Sequence, residues 1–583
     1  MHHGQPWWDT PSTLHCKADA KNCYVGSPTF WTRKRLTAVT TYGQRTEGST
    51  SLSLVDRWNL TQSFPEQRGD THPPLWLESI TRTGYGTTLD TSGNQTSTSL
   101  PPVSFLANVQ DMPNRVAKSS GDSTPDFDRL RVETIRTETG GEIYVRYSAP
   151  CAVGTTHPKP EENTTRCYPV HWSPDGELEK PPLEWFNKYV VDRVVEKDRV
   201  ARQPDVTTTY TYEGGAAWVK DSDEFSKPEL RTYNQWRGYA SVVVKKGVTA
   251  NAGKPDATEE SQTRTRYFRG MSGDAGRPKI TVKDSTDTED FGEDLPQLQG
   301  LAVETITYSR AGGTVASRQL TWPMSEKTGS RPRDGTTALD AFRSGTERTD
   351  AIELISEGRT RVVRSRNDYD KTYGLLERTQ IEALTSNGTG WTTSETSCTV
   401  TSYVHNTDKH IIGLARRVRT TADDCTKTGT GITLSDARTS YDAPNAFGTS
   451  PVKGLPVQVD SVNAAGTGWT TASRTEYDAL GRPVKISDAA GNPTTTSYSP
   501  AAGIAFTTTA TNPLGHTATT KVDPGRGSVL EITDPNGRKV TSEHKPPVVT
   551  SGTLRDNGTY ESTLAIYGGL LQPRQTQKEA LVT

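Results

Sequence analysis

The sequence predicts an all-β protein whose strands form one extended antiparallel sheet. From Tyr477 to Gly537 it alternates short segments of Thr, Val, Ile, Tyr and Ser with turn signals at intervals of roughly 10–12 residues. These β-branched and aromatic residues suit a pleated, half-buried surface. Open twisted sheets rarely exceed about ten strands without curling, and closure removes exposed edges. We therefore expect this sheet to spiral into a hollow shell or barrel, with a series of two-sheet sandwiches as the alternative.

The turn signals pair a capping side chain with a glycine. Asp or Asn caps a turn by bonding the backbone two residues further on, and Gly supplies a positive φ without a steric penalty. The regular pairs are Asp478 with Gly481, Asp488 with Gly491, Asn512 with Gly515 and Asp534 with Gly537. No catalytic chemistry needs such a period, so we interpret it as architecture.

Composition favours an ordered sheet with one wetted face. Hydrophobic residues make up only 31% of the 583, yet the 12 Trp and 21 Tyr argue against disorder. A sheet that buries one face reconciles these numbers, because only alternate residues then need to be apolar. With 67 basic and 69 acidic residues, the charge balance gives no case for nucleic-acid or membrane binding.

The six cysteines form three local couples: Cys16 with Cys23, Cys151 with Cys167, and Cys398 with Cys425. This clustering predicts disulfides and a secreted or cell-surface location, with unpaired thiols as the alternative. Zinc is disfavoured because no Cys-x-x-Cys occurs. No apolar run is long enough for a transmembrane helix, and the first residues lack the apolar core of a signal peptide. We therefore expect the chain to begin inside a longer exported protein.

The middle of the chain carries several local expectations. Tyr210 and Tyr212 lie on one face of a predicted strand, and aromatic ladders are the favoured interpretation, with sugar-stacking platforms as the alternative. A hairpin is expected at Gly140-Gly141. The acidic segment 284–290 lacks the calcium-loop spacing and is interpreted as a solvated loop. A short helix is a candidate over residues 338–343.

Three segments contain a Tyr-Asp pair, and together they resemble the YD repeat of Rhs proteins. Tyr477-Asp478 is followed by Gly481-Arg482, which is the most complete copy. Weaker copies are Tyr369-Asp370 with Gly374, and Tyr441-Asp442 without a close Gly-Arg. The upstream block around residues 210–270 is similar to the divergent shell repeats of the B component of Tc insecticidal toxins.

This resemblance implies a β-strand spiral that closes into a hollow shell and holds or presents other polypeptide. The partners it implies are the remainder of the same polypeptide, namely a C-terminal core and a toxin cargo. The self-cleavage motif of that core has no convincing match here, so neither self-proteolysis nor toxicity is carried over. We expect three regions: residues 1–30, a divergent shell region over 31–350, and a YD-repeat region over 351–583.

No enzymatic motif stands out, and we predict no catalytic, cofactor-binding or metal-binding residue. The sequence lacks a Gly-x-Ser-x-Gly elbow, His-Glu-x-x-His, a P-loop and a dinucleotide fingerprint. The histidines lack partners at useful spacing; they include His157, His171, His405, His410, His516 and His544. Paired carboxylates for glycoside cleavage are not excluded by sequence alone.

Two functions from different classes follow. The first is a non-catalytic shell segment of an exported YD-repeat protein that encapsulates or displays a polypeptide such as a C-terminal toxin. The second is a secreted or cell-surface carbohydrate-binding or adhesion module, with shallow grooves floored by Trp218, Trp236 or Trp322. A carbohydrate-active enzyme is a third hypothesis.

Overall fold

A computed structural model describes most of the chain. The described residues are 8–10, 15–22, 30–65, 73–108, 112–173, 180–200, 203–248, 260–274, 277–334, 337–356, 359–386, 391–427, 431–545, 548–555, 558–567 and 573–578. Within these ranges there is no α-helix, and no helix has the length and apolarity needed to cross a membrane. Short 3₁₀ turns occur at Pro160–Glu162, Pro228–Leu230, Pro296–Leu298 and Thr407–Lys409.

Strands account for nearly all of the regular structure. Up to residue 331 they are β1 (Ala38–Gly43), β2 (Ser53–Ser63), β3 (Trp76–Leu89), β4 (Gln95–Ser99), β5 (Val103–Ala107), β6 (Val132–Arg136), β7 (Gly141–Tyr147), β8 (Cys167–His171), β9 (Leu183–Asn187), β10 (Val191–Asp198), β11 (Val206–Glu213), β12 (Ala217–Val219), β13 (Gln235–Gly238), β14 (Ser241–Val248), β15 (Ser261–Tyr267), β16 (Thr281–Lys283), β17 (Asp290–Glu293), β18 (Ala302–Tyr308) and β19 (Val315–Arg331).

The second half continues in the same way. Its strands are β20 (Leu339–Ser356), β21 (Arg359–Tyr369), β22 (Leu376–Ser386), β23 (Trp391–Asn406), β24 (Ile411–Ala422), β25 (Ile432–Tyr441), β26 (Pro456–Val462), β27 (Trp469–Tyr477), β28 (Pro483–Ser487), β29 (Pro493–Ser499), β30 (Thr507–Thr511), β31 (Thr517–Asp523), β32 (Ser528–Thr533), β33 (Lys539–Lys545), β34 (Val548–Leu554), β35 (Tyr560–Tyr567) and β36 (Pro573–Lys578).

Thirty of these strands belong to one sheet, which confirms the predicted all-β, extended antiparallel architecture. The remaining six form the two-stranded sheets β8–β9, β12–β13 and β16–β17. From β20 to β36 every strand pairs antiparallel with the next one along the chain. Hairpin connections of this kind need only short turns, which explains the regular turn spacing. The predicted hairpin at Gly140-Gly141 joins β6 to β7.

The candidate helix over residues 338–343 is wrong. This segment opens β20, an 18-residue strand that pairs with the 17-residue β19. One isolated helical turn is marginal in water because its nucleus is costly. Pairing with a neighbouring strand satisfies the backbone instead. The strands here are also much longer than the seven residues typical of the downstream repeat.

The chain divides into two compact units. The first comprises Met1–Val39, Trp58–Arg82 and Ser99–Thr346, and the second comprises Thr40–Arg57, Thr83–Thr98 and Glu347–Thr583. Two short N-terminal segments therefore belong with the C-terminal repeats, which the order of the sequence does not reveal. The regions 1–30, 31–350 and 351–583 stay a prediction about repeat types.

The acidic segment of the first unit is solvated only in part: Asp287 and Asp290 are exposed, whereas Asp284 is buried. Its carboxylate accepts the backbone N–H of Thr288 at 2.7 Å and pairs with Arg318 at 2.7 Å. Arg318 also binds Glu304, which is itself buried. Burial opposes ionisation of Asp284, but these hydrogen bonds hold its pKa well below the ordinary value. The partner comes from β19, so the local sequence could not show it.

In the second unit, a buried ion pair joins the N-terminal segment to the late repeats. Arg45 contacts Asp523 through Nε–Oδ1 (3.2 Å) and Nη2–Oδ2 (2.8 Å), and its Nη1 donates to the Leu54 carbonyl at 2.9 Å. Arg526 adds a bond to Asp523 at 3.1 Å and one to the Val55 carbonyl at 2.7 Å. We call Arg45, Asp523 and Arg526 the clasp.

The clasp is closely packed as well as charged. A Cβ on Gly525 would lie 2.8 Å from the Val55 side chain, so this turn position excludes every larger residue. Burial opposes ionisation of Asp523, but the Arg45 guanidinium and the Gly525 N–H hold its pKa below the ordinary value. Both arginine side chains thus fix the β31–β32 turn against residues 45–55.

We expect Arg45→Met to lower the free energy of unfolding of the second unit by about 3–5 kcal/mol, because it leaves a buried carboxylate without its main partner. Urea unfolding followed by circular dichroism measures this. Arg136→Met in the first unit is the control, since Arg136 is largely exposed in its pair with Glu142, and it should cost that unit no more than about 1 kcal/mol. Equal losses in the two variants would contradict a clasp.

Candidate functional site

Tyrosine hydroxyls link neighbouring strands in a recurring way. A tyrosine at or near the end of one strand donates its O–H to a backbone carbonyl of the preceding strand, usually that of its first residue. The bonds are Tyr147 to Val132, Tyr212 to Val191, Tyr403 to Leu376, Tyr441 to Ala415, Tyr477 to Pro456 and Tyr498 to Pro483, at 2.5–2.9 Å. We call these the tyrosine staples. They occur within each of the two units.

The Tyr-Asp pairs stand where a strand ends. Tyr369, Tyr441 and Tyr477 are the last residues of β21, β25 and β27. The aspartate that follows each of them begins the turn. At Tyr441 and Tyr477 the pair therefore combines two local tasks: the tyrosine ties the strand end to its neighbour, and the aspartate closes the connection.

Five turns share one hydrogen-bond pattern. The Asp or Asn side chain accepts the N–H groups of the second and fourth residues after it, and the Gly at the third position has a positive φ. These turns begin at Asp90, Asp478, Asp488, Asn512 and Asp534. Their glycines are Gly93, Gly481, Gly491, Gly515 and Gly537. This is a three-residue hairpin loop with a glycine bulge.

The other two Tyr-Asp segments form longer loops, in which the aspartate also accepts backbone N–H groups. Asp370 accepts the N–H groups of Thr372, Tyr373 and Leu375, and the Gly374 N–H bonds its carbonyl at 3.0 Å. Asp442 reaches across its loop to the four N–H groups of residues 452–455. Burial opposes ionisation of Asp442, but these N–H groups hold its pKa below the ordinary value.

The registers place charged and uncharged residues on opposite faces of β24–β33, all in the second unit. Directly opposed residues of antiparallel strands share a face, and neighbours along a strand alternate. One face carries Arg417, Asp436, Arg438, Asp460, Arg474, Glu476, Lys485, Lys521, Glu531 and Lys539. We call this the charged face, and the opposite one the uncharged face.

Buried ion pairs run along the charged face. Arg417 binds Asp436 through Nε–Oδ1 at 2.8 Å, and Arg438 binds Asp460 through Nε–Oδ2 at 2.9 Å. The Arg438 guanidinium also lies 4.6 Å from the ring centre of Trp469, a cation–π distance. Gln458 donates to Asp460 at 2.7 Å. The carboxylates are almost fully buried and every strand from β24 to β27 contributes to the network.

The uncharged face has a different chemistry. Its paired positions from β24 to β33 are occupied by Thr, Ser, Ala, Val, Ile, Tyr or Pro throughout the described registers. Representative rows are Val418 opposite Ala437, and Thr520 opposite Ile532. Val418, Ile486 and Ile532 remain 37–46% exposed. Apolar side chains are thus presented to the surroundings on a face whose paired positions carry no formal charge.

The cysteine couples form where the described residues include both members. Cys151–Cys167 and Cys398–Cys425 are disulfides with Cα–Cα distances of 6.5 and 5.0 Å. Cys16 is disulfide-bonded, whereas Cys23 lies outside the described residues. The first disulfide bridges the Pro-rich segment that precedes β8, and the second ties β23 to the β24–β25 connection.

The tryptophans proposed as sugar platforms belong to aromatic packing. Trp218 is 1% exposed, stacks on Tyr168 at 4.8 Å and donates its indole N–H to the Thr165 carbonyl. Trp236 packs edge-on against Trp218 at 4.9 Å. Trp322 contacts Phe291 at 5.0 Å. Ladder and core packing therefore describe these side chains, and Trp218 cannot floor a surface groove.

The histidines have separate local surroundings. His157 stacks on Trp185 at 4.0 Å, and burial lowers its pKa. His171 contacts the Pro181 carbonyl, His405 accepts the Gly413 N–H, and His516 lies beside Asn512. His410 ends a 3₁₀ turn, and the side chain of His544 lies outside the described residues. Among described residues no group of three His, Cys, Asp or Glu is placed to hold a metal ion.

Comparison with known proteins identifies the fold through structure rather than sequence. No protein-family model and no curated protein matches this chain. The crystal structure of TcdB2-TccC3 aligns with a TM-score of 0.53 at 10% identity, over 89% of this chain and 33% of that one. The chain shares that fold. It spans about a third of the solved chain's length.

Further solved structures carry related names. The TcdB2-TccC3-Cdc42 crystal structure has a TM-score of 0.49 at 12% identity, over 89% of this chain and 28% of that one. A Photorhabdus luminescens Tc holotoxin pore has a TM-score of 0.48 at 11% identity, over 91% and 30% of the respective chains. At such identities the likeness concerns the fold alone.

Sequence reasoning missed the tyrosine staples, the clasp and the two-faced sheet. The staples had a signal, because a tyrosine directly before Asp marks a strand end in three places. The faces require the strand register, which bulges shift at several points. The clasp joins residues 478 positions apart, and nothing in the local sequence near Arg45 points to Asp523.

We expect Tyr441→Phe to destabilise the second unit by about 0.5–1.5 kcal/mol, because it removes the donor to the Ala415 carbonyl. Thermal or urea unfolding measures the loss. Tyr373→Phe is the matched control, since the hydroxyl of Tyr373 makes no hydrogen bond within the described chain, and it should be neutral within about 0.5 kcal/mol. A neutral Tyr441→Phe would rule out a structural role for that staple.

We expect Asp460→Asn to cost about 2–3 kcal/mol at neutral pH, because Arg438 loses its charged partner. Burial opposes ionisation of Asp460, but Arg438 and Gln458 keep its folded pKa below the ordinary value. Its stabilising effect is therefore present above about pH 4–5 and is lost as the pH falls towards the folded pKa. The gap between wild type and variant should shrink accordingly. Asp408→Asn, at an exposed turn, should show no such gap.

Proposed function

We propose that this chain is a non-catalytic structural segment of the wall of an exported YD-repeat shell that encloses or displays polypeptide. The uncharged face carries the proposal. The fold shared with TcdB2-TccC3 and the resemblance of the Tyr-Asp segments to Rhs repeats support it. The disulfides are in keeping with export, because such bonds persist in oxidising compartments.

An uncharged wall can contact a polypeptide beside it without selecting segments by their charge. An unfolded polypeptide carries charges of both signs, so a wall with fixed charges would bind some segments and repel others. Short hydroxyl and aliphatic side chains offer weak contacts to almost any sequence. Exposed apolar residues on one continuous face mark an interaction surface. The charged face meanwhile supplies stability through its buried ion pairs.

The carbohydrate-binding alternative loses its best candidate platform. Trp218 is buried, and Trp236 and Trp322 pack against other aromatic rings. A carbohydrate-active enzyme would need two carboxylates facing each other across a cleft. The buried carboxylates described above are instead saturated by arginines and backbone N–H groups. A wall needs neither feature.

Site-specific photo-crosslinking tests the proposal. A photoreactive phenylalanine derivative replaces Ile486 or Ile532 on the uncharged face, and a tagged unfolded tail is joined after Thr583. We expect these positions to crosslink to the tail. Lys485 and Glu531, one residue away on the charged face, are the matched controls and should crosslink several-fold less.

Two outcomes would count against the proposal: equal crosslinking from both faces, or crosslinking from neither. The same tail added as a separate polypeptide is a further control. It should crosslink far less, because joining it to the chain raises its effective concentration.

A further inference from the structure

A groove of about 410 Å³ opens beside the Tyr369-Asp370 turn of the second unit. Its volume falls within the roughly 300–1,000 Å³ typical of small-ligand sites. The lining includes Tyr373, Tyr403, His405, Asp370 and Glu377. Neither the wall function nor the predicted sugar platforms uses this groove.

Three aromatic rings form one side of the groove. The rings of Tyr373 and His405 are 4.8 Å apart, and those of Tyr403 and His405 are 6.5 Å apart. Tyr373 is 39% exposed. The Nδ1 atom of His405 accepts the Gly413 N–H at 3.0 Å, so the neutral imidazole carries its proton on Nε2. A neutral ring does not repel a cation.

Two carboxylates make the groove electronegative. The Asp370 carboxylate accepts three backbone N–H groups, and the Glu377 side chain makes no hydrogen bond or ion pair within the described chain. Besides burial, the charges of Asp370 and Glu377 raise the pKa of the Tyr403 phenol. The groove also contains Arg378, which stands opposite Asp368 in the β21–β22 register, so the lining carries two carboxylates and one guanidinium.

We propose that this groove binds an organic cation, namely the guanidinium or ammonium group of an Arg or Lys side chain of a polypeptide. The ring faces supply cation–π attraction, and Glu377 supplies a charge-assisted hydrogen bond. A neutral sugar would gain from the rings but not from the negative potential, and an anion would be repelled. The inference extends the proposed function, since it gives the polypeptide one point of specific contact.

Saturation-transfer difference NMR with the intact chain tests this with acetyl-arginine amide as the probe. We expect saturable binding that weakens as salt is added, because the attraction is electrostatic. Acetyl-citrulline amide has nearly the same shape without the charge and should not bind measurably. Equal binding of the two probes, or of glucose, would overturn the assignment.

Variants locate the binding. Tyr373→Leu should weaken it about fivefold, which corresponds to the loss of about 1 kcal/mol of cation–π attraction. Glu377→Gln should weaken it several-fold and reduce its salt dependence, whereas Glu353→Gln, an exposed glutamate outside the groove, should change nothing. If Tyr373→Leu and Glu377→Gln both bind the probe as tightly as wild type does, the groove is not the site. The crosslinking test of the wall uses positions in β28 and β32, so its outcome does not depend on whether this groove binds a cation.

Discussion

The hydrogen-bonded register between neighbouring strands decides which side chains of this protein share a face. In β24–β33 that register places Arg438 opposite Asp460 and Thr520 opposite Ile532, on opposite sides of the same sheet. A slip by one residue would exchange the two faces. It would also separate the buried carboxylates from their arginines. The ion pairs of the charged face therefore stabilise the register that forms the uncharged face.

Strand ends receive their own reinforcement. Long sheets are prone to fraying and slippage where one strand turns into the next, and this is where tyrosine staples and aspartate turns occur. A staple ties a strand end to the carbonyl of its neighbour, and the aspartate satisfies the N–H groups that the turn frees. The Tyr-Asp pair therefore stabilises a strand end together with the turn that follows it. The same tyrosine bond without the following Asp recurs at Tyr147, Tyr212, Tyr403 and Tyr498, so the staple is more general than the Tyr-Asp pair.

The departures from expectation have a common origin. Asp284 was expected in a solvated loop, residues 338–343 were expected in a helix, and Trp218 was a candidate sugar platform only in the alternative interpretation, yet each is held by a contact with another segment. Arg318 reaches Asp284 from β19, β19 pairs with β20, and Tyr168 stacks on Trp218. Local propensity is a weak prior when a distant strand offers a hydrogen bond or a buried contact.

The all-β class, the turns from Asp478 to Gly537 and two of the disulfide couples could be predicted from the sequence, because turn chemistry is local and the paired cysteines are only 16 and 27 residues apart. The folded chain was needed to show which residues face which way, that Arg45 meets Asp523, and that Tyr373 and His405 border one groove. Those outcomes depend on register, on bulges that shift it, and on contacts between segments hundreds of residues apart. Local chemistry determines where the chain can turn. Strand pairing across the sheet determines which side chains lie on each face.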